Sequence, residues 1–327
     1  TQPFFAGNAY DWDIPLAYHS SVWAADRAVA FLRDRPREQP FLLCVGFQDP
    51  HHTHCVPTEL TDRVDPQAVG LPDYTEGELV DKPPHFMAMH TGGSCGEQAG
   101  TAAEPGTGWD FRQVTERAAR LARAYYQDLV RLVDRQVGRI LDALDALHLA
   151  GDTIVLFTTD HGELLGDHGL WTKGPFHYEC LIRIPMLWRW PGRVPPRRRV
   201  GGLFSQVDIA PTLMSAVGEP VAAEMDGLDA LGMLRGERQA VRDHCIVEYV
   251  GAPLATSCKT IVSEDRKLTW YRGQDYGELY DLAADPAEKV NLWNDPSRTG
   301  EKADLLSRIL DNLDTLEPRL ERLTHGA

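Results

Sequence analysis

Residues 151–174 read GDTIVLFTTDHGELLGDHGLWTKG, and the order of residue types in this stretch sets the fold class. Gly151-Asp152 is a turn. Thr153–Phe157 is a continuous apolar run of strand length, the pattern of a strand buried on both faces, as in parallel sheets. Asp160 and His161 stand side by side where that strand ends. Upstream, residues 112–147 carry Leu121, Tyr125, Leu129, Leu132, Val133, Ile140, Leu141 and Leu144 at three- and four-residue steps, which predicts a long amphipathic helix. A second apolar run, PFLLCVGF at 40–47, predicts another strand buried on both faces and leads into QDPHHTHCVP, a loop with three histidines. Residues 18–34 have helical spacing, and 183–192 read as a strand ended by Pro-Gly. Strands alternating with helices predict an α/β domain built on a mostly parallel sheet flanked by helices, whose reactive groups gather beyond the carboxyl ends of the strands.

The rest of the chain extends this frame. SQVDIAPTLMSAVG (205–218) predicts a short helix capped near Ser205 or Asp208. After Arg238 the pattern turns to short β-rich runs, an antiparallel meander. A closing helix carries Leu305, Leu306, Ile309, Leu310 and Leu313, with Leu316 and Leu320 continuing beyond, and is expected to pack on that small sheet. Residues 1–237 are thus expected to form the α/β body and 238–327 a smaller C-terminal subdomain of antiparallel sheet plus helix. Residues 62–112, aperiodic and rich in Gly, Pro and Asp, read as a long surface insertion, with His85 and His90 expected to wall a substrate pocket.

Composition narrows the function classes. With 43% hydrophobic and 25% charged residues among 327, this is an ordinary globular composition, and no apolar run approaches the roughly 18–20 residues of a membrane span. Thr1–Pro15 lacks the basic and apolar regions of a signal peptide. A net charge of −15 argues against a nucleic-acid partner, and Arg197-Arg198-Arg199 reads as a solvated loop. The six cysteines form no C-x-x-C pair and read as small buried thiols, which fits a reducing, cytoplasmic setting.

The strand-end residues carry the chemistry. Asp160 and His161 can supply two ligands to one divalent metal; otherwise the acid caps a helix and the histidine is surface. Lys173 lies twelve residues after His161, across a loop punctuated by Gly162, Gly166, Gly169 and Gly174, and an ammonium folded back beside a metal makes an oxyanion site. His51 is placed to donate to an oxyanion or protonate a leaving group, with His52 and His54 as loop surface. Asp167 and His168 are expected to orient the loop by hydrogen bonds behind the metal ligands.

Long blocks in this order resemble the sulfatases of the alkaline phosphatase superfamily: HSSVWAADRAVAFL (19–32), QPFLLCVGFQDPHHTHCVP (39–57), the whole of 125–192, SQVDIAPTLMSAVG, MDGLDALGMLRGE (225–237) and ELYDLAADPAEKVNLWNDP (278–296). The resemblance implies an alkaline-phosphatase-like fold and a small sulfate or phosphate ester as substrate. By it Asp160 and His161 match the metal pair, with Ca²⁺ the first choice and Mn²⁺ or Mg²⁺ the alternatives. Lys173 matches the lysine that contacts the sulfate or phosphate group in the phosphonate monoester hydrolase and choline sulfatase branch, and His51 the histidine facing the leaving-group oxygen.

One part of the family pattern is missing. Members open with a strand ending in paired aspartates, then C-x-P-S-R or S-x-P-S-R, whose Cys or Ser becomes the formylglycine nucleophile. The nearest match, CVPTE at Cys55–Glu59, has Glu59 where the arginine must stand. The chain is therefore expected to correspond to the C-terminal two-thirds of a sulfuric ester hydrolase, to contain no nucleophile and to be inactive alone. A phosphonate monoester or phosphodiester hydrolase of the same superfamily is the second reading, and a non-catalytic remnant binding an anion or a partner the third. A homo-oligomer is compatible with each.

Overall fold

The computed structural model describes residues 9–92, 110–250 and 257–312; Cys95 and the leucines at 313, 316 and 320 lie outside the described residues. In chain order the elements are β1 (Ala9–Trp12), α1 (Ser20–Asp34), β2 (His54–Pro57), α2 (Pro84–His90), α3 (Glu116–Ala146), β3 (Val155–Thr158), α4 (Glu179–Ile182), β4 (Met186–Arg189), α5 (Ile209–Val217), α6 (Leu231–Arg235), β5 (Cys245–Val250), β6 (Ser257–Val262), β7 (Arg266–Tyr271), β8 (Gly277–Asp281) and α7 (Thr299–Asp311). They divide into two compact units interleaved in sequence. The first comprises Thr1–Tyr74, Trp109–Val155 and Leu165–Thr172; the second comprises Thr75–Gly108, Leu156–Leu164 and Lys173–Ala327.

The first unit is organised by α3. Thr115 caps it, its hydroxyl accepting from the Ala118 amide at 3.2 Å, and Glu116 places an acid in the first turn. The stripe read from the sequence is the buried face: Leu129 and Leu132 pack with Val56 of β2 and with Leu60, and α1 lies along the same helix. β1 and β2 pair in parallel, Ala9 opposite His54 and Trp12 opposite Pro57. Buried Asp128 on α3 ties down the segment after β2, accepting from Arg63 Nε at 2.6 Å and the Val64 amide at 2.8 Å.

Two strand expectations need correction. The run at 40–47 is extended but is not a strand, and no sheet pairing of it occurs among the described residues. Its residues alternate between half-buried and exposed, and Leu42 is 87% exposed. Apolar content makes a segment suited to a sheet, but a strand exists only when a neighbour takes its amides and carbonyls. β3 forms where expected and pairs with β4, yet Phe157 and Leu187 remain exposed, so this two-stranded sheet is not buried on both faces.

The second unit contains the meander, strand order β5-β6-β7-β8, each pair antiparallel. Ile246, Ile261, Leu268 and Leu279 stand opposite one another in a row across the four strands, and Trp293 with Leu305 and Ile309 of α7 covers them. The opposite face is buried but polar. Thr260 and Thr269 hydroxyls meet at 2.8 Å, and Tyr271 and Tyr280 each donate to Glu278 at 2.6 Å. Lys267, 0% exposed, donates to the His177 carbonyl at 2.8 Å and to Glu179 at 3.0 Å, and faces Glu288 at 2.5 Å.

The segment read as a featureless insertion contains α2, whose His85, Phe86, Ala88, Met89 and His90 are all buried. Seven residues give too few turns for a periodic signal. Pro83 occupies the cap position of the helix, and Pro84 stands at the first helical position.

Candidate functional site

The backbone leaving β3 is held on two sides. The Gly162 amide donates to the Leu181 carbonyl at 2.7 Å, bringing the loop against α4. A side chain at Gly162 would put its first carbon 2.9 Å from the Cys180 carbonyl carbon and closer still to its oxygen, so only glycine permits this approach. On the other side Gln206 Nε2 donates to the Thr159 carbonyl at 2.8 Å. Gln206 is itself fixed by a capping box between Ser205 and buried Asp208, which also accepts from the Leu228 amide at 2.7 Å and Arg242 Nε at 3.0 Å. Ser205 and Asp208 were legible as caps; Gln206 and Arg242 as supports of the loop were not, because nothing in local spacing links position 206 to 159.

On this frame Asp160 is open to solvent, its side chain 83% exposed, and His161 is 34% exposed. His161 Nδ1 lies 2.7 Å from the Gly162 carbonyl and Nε2 lies 3.0 Å from Lys173 Nζ. An ammonium only donates, so Nε2 offers its lone pair and the ring proton sits on Nδ1, directed at the carbonyl. Nε2 lies 3.5 Å from Asp160 Oδ2, with its lone pair taken by Lys173. Partial burial pushes the Asp160 carboxyl up. Hydrogen bonds from the His161 amide and the Thr159 hydroxyl pull the other way, and the carboxyl is lowered on balance.

A neutral imidazole whose other nitrogen is tied to a carbonyl, beside an ionised carboxylate, would suit a divalent cation, which would take the Nε2 lone pair in place of Lys173. They are a partial set: among the described residues no three His, Cys, Asp or Glu side chains group around one point. Lys173, twelve residues away in sequence, does fold back onto His161 as expected.

Asp167, His168 and His51 belong to the first unit, and His85 and His90 to the second. Asp167 Oδ1 accepts from Arg123 Nη1 at 3.0 Å and from the Asp73 amide at 2.8 Å, all within the first unit. It orients its loop through partners the sequence did not suggest. His168 is buried, with φ of 58° and its amide donating to the Asp73 carbonyl at 2.9 Å. Gly166 takes φ of 93°, and a side chain there would meet Pro72 at 2.6 Å. His51 belongs to the first unit and is exposed; its Nδ1 is 2.5 Å from the His52 carbonyl, and the two rings stack at 4.3 Å. His54, expected on the loop surface, is instead buried in β2 against Tyr126, with no hydrogen-bond partner for either ring nitrogen among the described residues. His85 and His90 are buried. His85 sits among Phe86, Phe176, Tyr271 and Tyr276 and belongs to a packed aromatic cluster.

Burial holds three histidines neutral: His85 falls to about 3, and His54 and His177 to about 4. The unfolded chain takes up these protons near pH 6.5, whereas the folded chain does so only near 4 or below. Stability is therefore full above 6.5 and declines as the pH falls, by about 1.4 kcal/mol per pH unit for each such group. Urea unfolding of the His85→Phe variant at pH 7.5 and 5.5 should show a pH dependence smaller by about that amount, and an unchanged one would contradict the assignment.

Comparison with known proteins supplies the class. The fold is alkaline-phosphatase-like, and the chain belongs to the sulfatase family, whose pattern it matches over residues 3–219. Residues 166–315 also match the C-terminal region of N-sulphoglucosamine sulphohydrolase. It is 28% identical to an arylsulfatase of Clostridium perfringens, covering 96% of this chain and 61% of that protein. It is 27% identical to a choline-sulfatase of Rhizobium meliloti, covering 90% and 54%. The phosphonate monoester hydrolase of Agrobacterium radiobacter superposes with a TM-score of 0.77 at 24% identity, covering 91% of this chain and 61% of that one. The chain thus spans less than two thirds of these proteins. No helix among the described residues is long and apolar enough to cross a membrane.

Proposed function

We propose that this chain is the C-terminal part of a metal-dependent sulfuric ester hydrolase. Residues 1–237 contribute the catalytic α/β body and 238–327 a subdomain. The arrangement of Asp160, His161 and Lys173 carries the reading: two metal-ligating atoms 3.5 Å apart, with an ammonium 3.0 Å from one of them. Ca²⁺ suits the carboxylate best, with Mn²⁺ or Mg²⁺ as alternatives. Asp160 and His161 would hold the cation, which would supply positive charge to the ester group when bound.

The chain's own residues do the rest. Lys173 donates to the oxygens of that group, and the Gly162 carbonyl keeps the His161 proton on Nδ1 so that Nε2 stays a ligand. By the family resemblance His51 is assigned as proton donor to the departing alkoxide; its Nδ1 lies against the His52 carbonyl. The formylglycine nucleophile and the remaining ligands come from a segment preceding Thr1. The absence of C-x-P-S-R from this sequence and the 61% and 54% coverage of the two sulfatase relatives support this.

In a protein carrying that segment, Lys173→Ala should lower kcat for an aryl sulfate by roughly 10²–10³-fold with a much smaller change in KM. A change below about threefold would remove Lys173 from the mechanism. The chain without the segment should not turn over the same ester; normal turnover would put a nucleophile within it. The likeness to a phosphonate monoester hydrolase favours a second reading, a phosphorus ester. Parallel assays on aryl sulfate, phosphonate and phosphodiester decide it: a large preference for phosphorus selects the second reading. Inactivity on all three leaves an anion-binding remnant.

A further inference from the structure

Although the chain carries a net charge of −15, one place in the second unit gathers positive charge. β4 ends at Arg189, and Trp190 follows at the turn. The Arg193 guanidinium lies over the Trp190 ring at 6.0 Å, and Arg235, the last residue of α6, over the same ring at 5.8 Å. The Arg198 guanidinium lies against Gly236, in the space a side chain there would take. Arg197 and Arg199 flank it, both exposed, and Arg238 donates to the Asp229 carbonyl. None of these six arginines forms an ion pair with a described residue, whereas Arg242, just beyond, is committed to Asp208. Glu237 is the acid set between Arg235 and Arg238.

Guanidinium groups repel one another, and six gathered around the single acid Glu237, with no ion pair to a described residue, are poised for anions brought from outside. A guanidinium stacked on an indole keeps its N–H edge outward and fixed, the geometry that grips a sulfate or phosphate through two parallel bonds. Several such forks suit a ligand with several anionic groups. A protein of pI near 5.2 repels the dense charge of a nucleic acid, and nucleic-acid domains are usually basic overall.

We propose that the surface formed by Trp190, Arg193, Arg197, Arg198, Arg199, Arg235 and Arg238 binds a sulfated polysaccharide at sulfate groups other than the one cleaved. The proposal rests on the sulfate-ester reading for its choice of ligand, but its test does not depend on turnover.

The test is binding of fluorescein-labelled dextran sulfate to this chain, followed by anisotropy between 50 and 200 mM salt, with neutral dextran and duplex DNA in parallel. Arg197→Ser/Arg198→Ser/Arg199→Ser should weaken binding about tenfold or more at low salt and flatten its salt dependence by about two to three counterions. Glu237→Lys should tighten it two- to threefold at about the same salt, a gain that misfolding cannot produce. His161→Ala should leave dextran sulfate binding intact, so failure of the ester-hydrolase reading and failure of this one are separable. No binding of dextran sulfate, equal binding by the triple variant, or binding of duplex DNA as tight as that of dextran sulfate would each overturn the assignment.

Discussion

Lys267→Met is expected to destabilise the chain by about 3–5 kcal/mol, the largest effect of any single substitution considered for folding. The ammonium is fully buried and satisfied by the His177 carbonyl at 2.8 Å, Glu179 at 3.0 Å and Glu288 at 2.5 Å. Methionine fills the volume but leaves Glu288 buried beside an apolar chain. Burial already pushes the Glu288 carboxyl up, opposed by Lys267. Without the lysine it should fold with a proton attached, so the loss in urea unfolding should shrink as the pH is lowered toward 5.5. Lys267→Met/Glu288→Gln should recover part of the loss, because no unpaired charge remains. A cost below about 1 kcal/mol for the single variant would show that water reaches the pair.

Gly162→Ala is expected to have the second largest effect, divided between stability and the site. The added carbon meets the Cys180 carbonyl, so the loop must move away from α4 and lose the bond from the Gly162 amide to Leu181. A loss of about 1–3 kcal/mol in unfolding free energy follows from such overpacking. His161 should lose its orientation as well, since its Nδ1 partner is the carbonyl of the same residue at 2.7 Å. Mn²⁺ binding followed by electron paramagnetic resonance should weaken in Gly162→Ala more than in Gly166→Ala, a loop glycine with a comparable steric clash in the first unit. Equal weakening would mean that the effect is general unfolding.

What could be read in the sequence was what local pattern encodes. The 31-residue α3, the cap at Ser205 and the meander each depend on neighbours within a few positions and appear where expected. The return of Lys173 to His161 was legible because glycines announce a tight loop. The misses involve long-range partners. The stretch at 40–47 has strand composition, yet a strand is a relation between two segments, and composition names only one. Lys267 lies in a strand that reads as ordinary β structure; its acids stand at Glu179 and Glu288, and no spacing rule joins them. Arg123 and Gln206 were invisible for the same reason, and His54 and His85 because solvent exclusion is decided by what packs on them.

The four-stranded meander also sets an order of assembly. Each strand pairs with the next one in the chain, so the row Ile246, Ile261, Leu268 and Leu279 closes through short loops that cost little entropy. The clamp from Glu179 onto Lys267 closes a loop of 88 residues. The sheet can therefore zip up early with its lysine still wet, and the polar face is sealed only when the segment bearing the proposed oxyanion contact arrives. The segment carrying Lys173 thus runs directly into His177 and Glu179, the residues that cover the buried lysine.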